Sequence, residues 1–205
     1  MAINTYASLQ TSIAAWAQVN AADLSSVIAD IVTLGETRIN RELYCKDNES
    51  PIQGAIGSNG DLALNPDYRS MKFAYVLSAN SSTKLEPRSA EWIYQNYPAR
   101  VAGGIPKFFA RKADRMIFGP YPDSGYAING VYYKNMPPLS LQVHDAFLNN
   151  PDLYLFGCLS KTEILIGRTD KWQMFEAEYK RLINDVNLTA KYSDSSGGTI
   201  QMRPG

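Results

Sequence analysis

Residues able to do chemistry are sparse in this chain, and they are scattered. His144 is the only histidine, in LQVHDAF. Beside Asp145 it has the composition of half a catalytic pair. Neighbours on a helix point to different faces, however, and no G-x-S-x-G elbow supplies a nucleophile. A surface or capping histidine is therefore the reading. Cys45 and Cys158 are remote from each other and from His144, so nothing has the spacing of a metal site. The opening stretch MAINTYASLQTSIAAW lacks the basic start and long apolar run of a signal peptide. Two free thiols, rather than a disulfide, and synthesis in a cytoplasm are expected from that. A glycosidase-type carboxylate pair can converge from anywhere in a chain, and no segment here singles out two candidates. The glycine-containing GSNG and GG have neither the Lys-Ser/Thr of a P-loop nor a G-x-G-x-x-G pattern. No catalytic residue, cofactor or metal is expected.

One segment could bind a polyanion. GGIPKFFARKADR carries Lys107, Arg111, Lys112 and Arg115 with Phe108 and Phe109 between them, a mixture that can hold single strands. The plainer reading is a hairpin with one solvated and one apolar face. The whole chain balances 20 basic against 20 acidic residues, so it lacks the basic surplus of a protein that grips phosphate backbones. With 45% hydrophobic and 20% charged residues, a packed core is expected, and no run reaches the ~18 apolar residues of a membrane span.

The elements that position these residues change period twice. Thr5 can cap a first helix, YASLQTSIAAWAQ, with Tyr6, Leu9, Ile13 and Trp16 on one face. Asp23 can cap a second, LSSVIADIVTLGETRINREL, with Leu24, Val27, Ile28, Ile31, Leu34 and Ile39 as its stripe. Its Glu36, Arg38, Arg41 and Glu42 are expected in water.

From about residue 44 turn signals and alternation take over. Asn59-Gly60 precedes a short strand, and SMKFAYVLSA alternates with Met71, Phe73, Tyr75 and Leu77 on one side. SAEWIYQNYP reads as a short helix ended by Pro98, and KFFARKADRMIFGP as a hairpin with its tip at 112–114. In GYAINGVYY, Tyr126, Ile128 and Tyr132 alternate with Ala127, Val131 and Tyr133, after the turn-forming FGPYPDSG.

Helix returns with Asn150 at a cap position and Pro151 and Asp152 in the first turn. DLYLFGCLSKTEILIG is apolar nearly all round, as a buried central helix would be, and Gly167 suits its C-terminal cap. The last helix starts at Thr169 or Asp170, with Trp172, Phe175, Tyr179, Leu182, Ile183 and Val186 in a stripe and Glu176 facing Lys180. SDSSGGTIQMRPG reads as a flexible tail that nonetheless carries Ile200, Met202 and Arg203. The expected fold class is α+β. Residues 1–43 and 142–192 would make a four-helix core, 44–141 a central antiparallel β insertion, and 193–205 the tail.

In their order these pieces resemble the head-to-tail adaptor proteins of tailed bacteriophages, above all the tail tubular protein A type of short-tailed phages. The likeness rests on ADLSSVIADIVTLGETRINREL, on GGIPKFFARKADRMIFGPYPDSGYAINGVYYKNMPPLS, on FLNNPDLYLFGCL and on the Trp172 helix with Tyr179. It departs from the family where a tryptophan usually precedes the leucines of the third helix, since Phe147 and Leu148 stand there. The segment 44–88 matches nothing in the family pattern.

The resemblance implies a structural protein of the virion, without catalysis. It would be a ring of about twelve copies under the portal, extending the DNA channel and offering the tail its platform. The implied partners are the portal protein, the tail nozzle or tube protein and further copies of itself. DNA would pass without specific binding, and no membrane is involved. Synthesis would be in the host cytoplasm and the final place the head–tail interface. Ile200, Met202, Arg203 and Tyr192 are the expected contacts to the portal or a neighbouring subunit. Tyr121, Tyr126, Tyr132, Arg111 and Lys112 are the expected contacts of the β insertion. The alternatives are another tail-completion or baseplate protein, a cell-wall hydrolase or a DNA-binding protein.

Overall fold

The computed structural model describes residues 2–57, 59–78, 81–99 and 103–195. Its helices are α1 (Tyr6–Ala17), α2 (Ala21–Leu24), α3 (Ile28–Glu42), α4 (Ala90–Asn96), α5 (Asp145–Asn149), α6 (Pro151–Ile166) and α7 (Thr169–Ser195). Its strands are β1 (Glu49–Ala55), β2 (Asp61–Ala63), β3 (Tyr68–Ser78), β4 (Ser81–Lys84), β5 (Glu86–Pro87), β6 (Phe108–Lys112), β7 (Arg115–Gly119) and β8 (Ala127–Lys134). The fold is α+β, and the chain divides into Met1–Asn48 with Met136–Gly205, helical in its described residues, and Glu49–Asn135, which holds both sheets.

In the helical unit α1, α3 and α7 all pack on α6. Helix α6 is buried on most sides because its sequence has few polar positions. Leu153, Cys158 and Leu159 are fully enclosed, and the buried hydroxyls of Ser160 and Thr162 donate back to the carbonyls of Gly157 and Cys158. Thr5 caps α1 in a reciprocal box with Ser8, as its sequence predicts. The second predicted helix is interrupted. Asn20, not Asp23, caps a single turn (α2), and three turn residues separate it from α3. Asn150 occupies the cap position of α6 but spends its side chain on the Ala146 carbonyl, 3.1 Å away. Helix α7 runs to Ser195, three residues into the segment that composition assigns to a tail.

The apolar stripes hold with two exceptions. Trp16 is 52% exposed, its edge against Phe156, and Leu34 faces outward while Gly35 takes the buried position beside α6. A Cβ on Gly35 would come within 2.7 Å of the Cys158 sulfur, so a glycine lets these helices approach.

Of the polar end of α3, Arg41 is exposed as its charge suggests, whereas Glu36, Arg38 and Glu42 are drawn against the rest of the unit. Arg38 makes a two-pronged bond to Glu176 on α7, Nη1 to Oε2 at 2.6 Å and Nη2 to Oε1 at 2.7 Å. Its guanidinium lies 4.0 Å from the centre of the Tyr179 ring, and the Tyr179 hydroxyl donates to Glu42 at 3.0 Å. Glu36 accepts from the Leu139 N–H at 2.6 Å, and Asn40 bonds both main-chain groups of Met136. Asn187 on α7 accepts from the Tyr44 N–H and donates to the Glu42 carbonyl, and Asn48 does the same for Cys45 and Leu43. Residues that look like a solvated face by charge are thus a clasp that ties α3 to the 136–139 return and to α7.

In the second unit one sheet has the order β1-β8-β3-β4 and the other β2-β7-β6-β5. All pairings are antiparallel except β5 with β6, which the sequence does not suggest. The β6–β7 hairpin turns at Ala113-Asp114, with Ala113 in left-handed backbone. Strand β3 corrects the expectation that Met71, Phe73, Tyr75 and Leu77 share a side. A bulge between Met71 and Phe73 turns Met71 to the face of buried Tyr132, while Phe73 pairs with Val131 on the outer face. Phe73, Tyr75 and Leu77 are exposed, and Ala74 and Val76 fill the interior. Gly130 faces Ala74 across the β3–β8 ladder, where a Cβ would collide with the Phe73 carbonyl oxygen and lie 2.8 Å from Ala74 Cα.

Two outcomes follow from this packing. Gly130→Ala is expected to cost about 2–3 kcal/mol, read as a lowered urea midpoint, since backbone and not a flexible side chain must yield. The Arg38 guanidinium holds the Glu176 carboxyl below its ordinary range, so folded Glu176 binds its proton less readily than unfolded. The stability it adds is present above the ordinary carboxylate pKa and is lost as pH falls through the depressed value. Glu176→Gln is therefore expected to lose about 2–3 kcal/mol at neutral pH, a deficit that shrinks on acidification below about pH 4 in denaturation curves.

Candidate interaction surfaces

His144 is the N-cap of α5: its Nδ1 accepts from the Phe147 N–H at 3.3 Å, and its ring leans on Tyr154. Both cysteines are buried, and desolvation together with the nearby Glu36 charge pushes the Cys158 thiol far above its usual range. Burial also raises the Glu36 carboxyl, against the pull of the Leu139 N–H that it accepts. Its oxygen is committed to holding the chain rather than poised for proton transfer. Among the described residues no three metal-ligating side chains converge.

The predicted contact residues divide between surface and interior. Tyr132 is 1% exposed; its hydroxyl donates to Asp67 and accepts from Asn65, both at 2.9 Å, and its ring lies on Tyr68. Tyr126 is 8% exposed and its hydroxyl donates to Asp123 at 2.6 Å, closing the turn before β8. These two tyrosines brace the β unit and present little to a partner. Tyr121 is half-buried, and its carbonyl accepts from Gly103 and Gly104. Arg111 and Lys112 are exposed at the hairpin, Lys112 donating to the Tyr94 hydroxyl at 3.0 Å. Tyr192 is 72% exposed near the end of α7. Ile200, Met202 and Arg203 lie outside the described residues.

Other surface residues are less apparent in the sequence. On the helical unit Ile164, Leu165 and Met174 are each more than half exposed, as is Leu34, and Leu141 is almost bare. On the β unit the rings of Phe73 and Tyr75 stand edge-on, 6.0 Å apart, on the outer face of the sheet. Period-two alternation marks such a row without saying which side is inward; the bulge decides that.

At the α6–α7 turn Glu163 is fully buried, and its nearest cation is Arg168, 3.9 Å away. Arg168 is instead bonded to the Ala17 carbonyl at 2.7 Å, at the end of α1. Both Glu163 oxygens and the Trp172 indole N–H have no hydrogen-bond partner, beside a depression of about 160 Å³. A carboxylate so placed costs more than it returns. Glu163→Leu is expected to be neutral or to raise stability by about 1–2 kcal/mol by thermal unfolding.

A protein-family model described as SU10 adaptor protein matches residues 4–203. No curated protein matches the chain.

Proposed function

The chain belongs to the SU10 adaptor protein family and is a phage head-to-tail adaptor, and from that premise we propose that it closes into a ring of about twelve copies beneath the portal. The ring extends the DNA channel and gives the tail nozzle or tube protein its seat. The observation that carries this reading is the extent of the family match, which covers both units of the chain rather than a single motif.

Three further features support it. A ring joins unlike faces of neighbouring subunits, and exposed apolar residues occur on both the helical unit and the outer sheet face. Equal numbers of acidic and basic residues suit a conduit through which DNA slides without being held. Among the described residues no helix is long and apolar enough to cross a membrane. The protein is made in the host cytoplasm and ends in the virion, with portal and tail as its partners and no cofactor.

The C-terminal segment docks on the portal or on a neighbouring subunit through Ile200, Met202 and Arg203, with Tyr192 on α7 as the adjoining contact. Light scattering on the protein alone and after mixing with its portal ring tests the assembly. A saturating complex of fixed mass is expected, and its mass gives the copy number; absence of binding would overturn the portal-bound ring. Removal of residues 193–205 is expected to abolish docking, and unchanged docking would remove that segment from the interface.

A further inference from the structure

Strand β3 is longer than its neighbour on one side. Strand β8 pairs with it from Tyr68 to Leu77, whereas β4 pairs only with Tyr75–Ser78 on the other edge. Among the described residues, 68–73 therefore have no strand on that second edge. A groove of about 420 Å³ runs along this open stretch, between residues 68–73 and the opposing Lys84, Leu85, Pro87, Phe109 and Arg111.

The lining is apolar and basic. Met71 and Pro87 give it accessible apolar surface, with Leu85 and Phe109 buried behind them, and Arg69, Lys72, Lys84 and Arg111 contribute four cations with no carboxylate among the lining residues. Lys72 is paired with Glu49 at 2.6 Å, outside the groove lining. Lys84 and Arg111 have no carboxylate partner among the described residues. Arg111 reaches across instead: Nη1 donates to the Arg69 carbonyl at 3.3 Å, Nε to the Ala113 carbonyl at 3.1 Å, and the guanidinium sits over the Tyr68 ring. The Arg69 bond is long and exposed. It occupies an edge acceptor that the N–H of an added strand could take over, leaving the guanidinium for an anion.

We propose that this groove receives an extended, carboxylate-bearing segment of a partner protein, added as a strand along the open edge of β3. Main-chain bonds within residues 68–73, on either side of the bulge after Met71, hold the segment, an apolar side chain of it meets Met71, and its carboxylates meet Lys84 and Arg111. A nucleic acid would find the same cations but little else. Tyr68 and Phe109 are 6% and 7% exposed, too enclosed to stack on a base, and the alternating N–H and C=O groups of a strand edge are matched by another peptide backbone, whereas a phosphate backbone has no N–H to give the carbonyls. The inference stands on the groove alone and does not require a ring.

The test uses the full-length chain and the peptide Ac-EVTVEVE-NH2, with amide hydrogen exchange as the readout. Saturable slowing of exchange within residues 68–73 is expected. Replacing the peptide's glutamates by glutamines, or making the double variant Lys84→Glu with Arg111→Gln, is expected to weaken binding about tenfold or more. Methylating alternate peptide nitrogens is expected to abolish it. Lys107→Glu, outside the groove lining, is expected to leave it unchanged. If the double variant fails to fold, Lys84→Glu alone carries the charge test. No slowing at 68–73 up to about 1 mM peptide, equal binding of the methylated peptide, or a short oligo-dT strand that binds there and excludes the peptide would each overturn the proposal.

Discussion

One guanidinium closes the helical unit. Arg38 sits on α3 and Glu176 on α7, 138 positions apart in sequence, and the two-pronged bond between them fixes both the distance and the rotation of one helix relative to the other. Everything polar nearby is arranged around that bond. Tyr179 lies beneath the guanidinium, Glu42 accepts from Tyr179 and from Arg38, and Lys180 adds a weaker contact to Glu176 at 3.4 Å. A partly buried charge is tolerable only when its partners are in place. The geometry of α7 is therefore constrained as much by this pair as by the apolar stripe of Phe175, Tyr179 and Ile183 below it.

Much of this was legible in the sequence where a single local rule decides the outcome. The Thr5 cap, the Gly167 stop of α6, the capping role of His144 and the Ala113-Asp114 hairpin depend on residues within one turn of each other. The errors arise where distant partners decide. ETRINRE reads as a wet face because four of its seven residues are charged, yet the return at Met136–Leu139 and helix α7 engage Glu36, Arg38 and Glu42 and leave only Arg41 of the four outside. Met71 and Phe73 look equivalent until a bulge, fixed by pairing with β8, places them on opposite faces. The same limit applied to the contact residues. Tyrosines near turns suggest an interface, and Tyr126 and Tyr132 proved to be internal because Asp123, Asp67 and Asn65 satisfy their hydroxyls.

A connector must be rigid where it is built and adhesive where it meets others, and the residue distribution here follows that division. Polar side chains are drawn inward to tie helix ends and turns, while apolar ones such as Leu34, Leu165, Phe73 and Leu77 are left outside. The inversion is local in each case and has a physical cause: a glycine where two helices touch, a bulge in a strand, a hydroxyl answered by a carboxylate. The titratable groups that burial shifts, among them Glu36, Tyr154, Cys158 and Tyr179, are engaged in packing or in holding the chain.

The division of the chain also sets an order for its synthesis. The β unit is one continuous stretch, Glu49–Asn135, and all its strands have been made once the ribosome has passed its end. The helical unit is split around it. Helices α1 and α3 emerge first, but the helix they pack on begins only at Pro151, and Arg38 waits for Glu176. Nascent chains therefore carry an uncovered apolar pair of helices for as long as the intervening segment takes to translate, at about 5–20 residues per second. That interval is when neighbouring nascent chains could pair wrongly, and the charged residues of α3 help keep the waiting surface soluble until its own partner arrives.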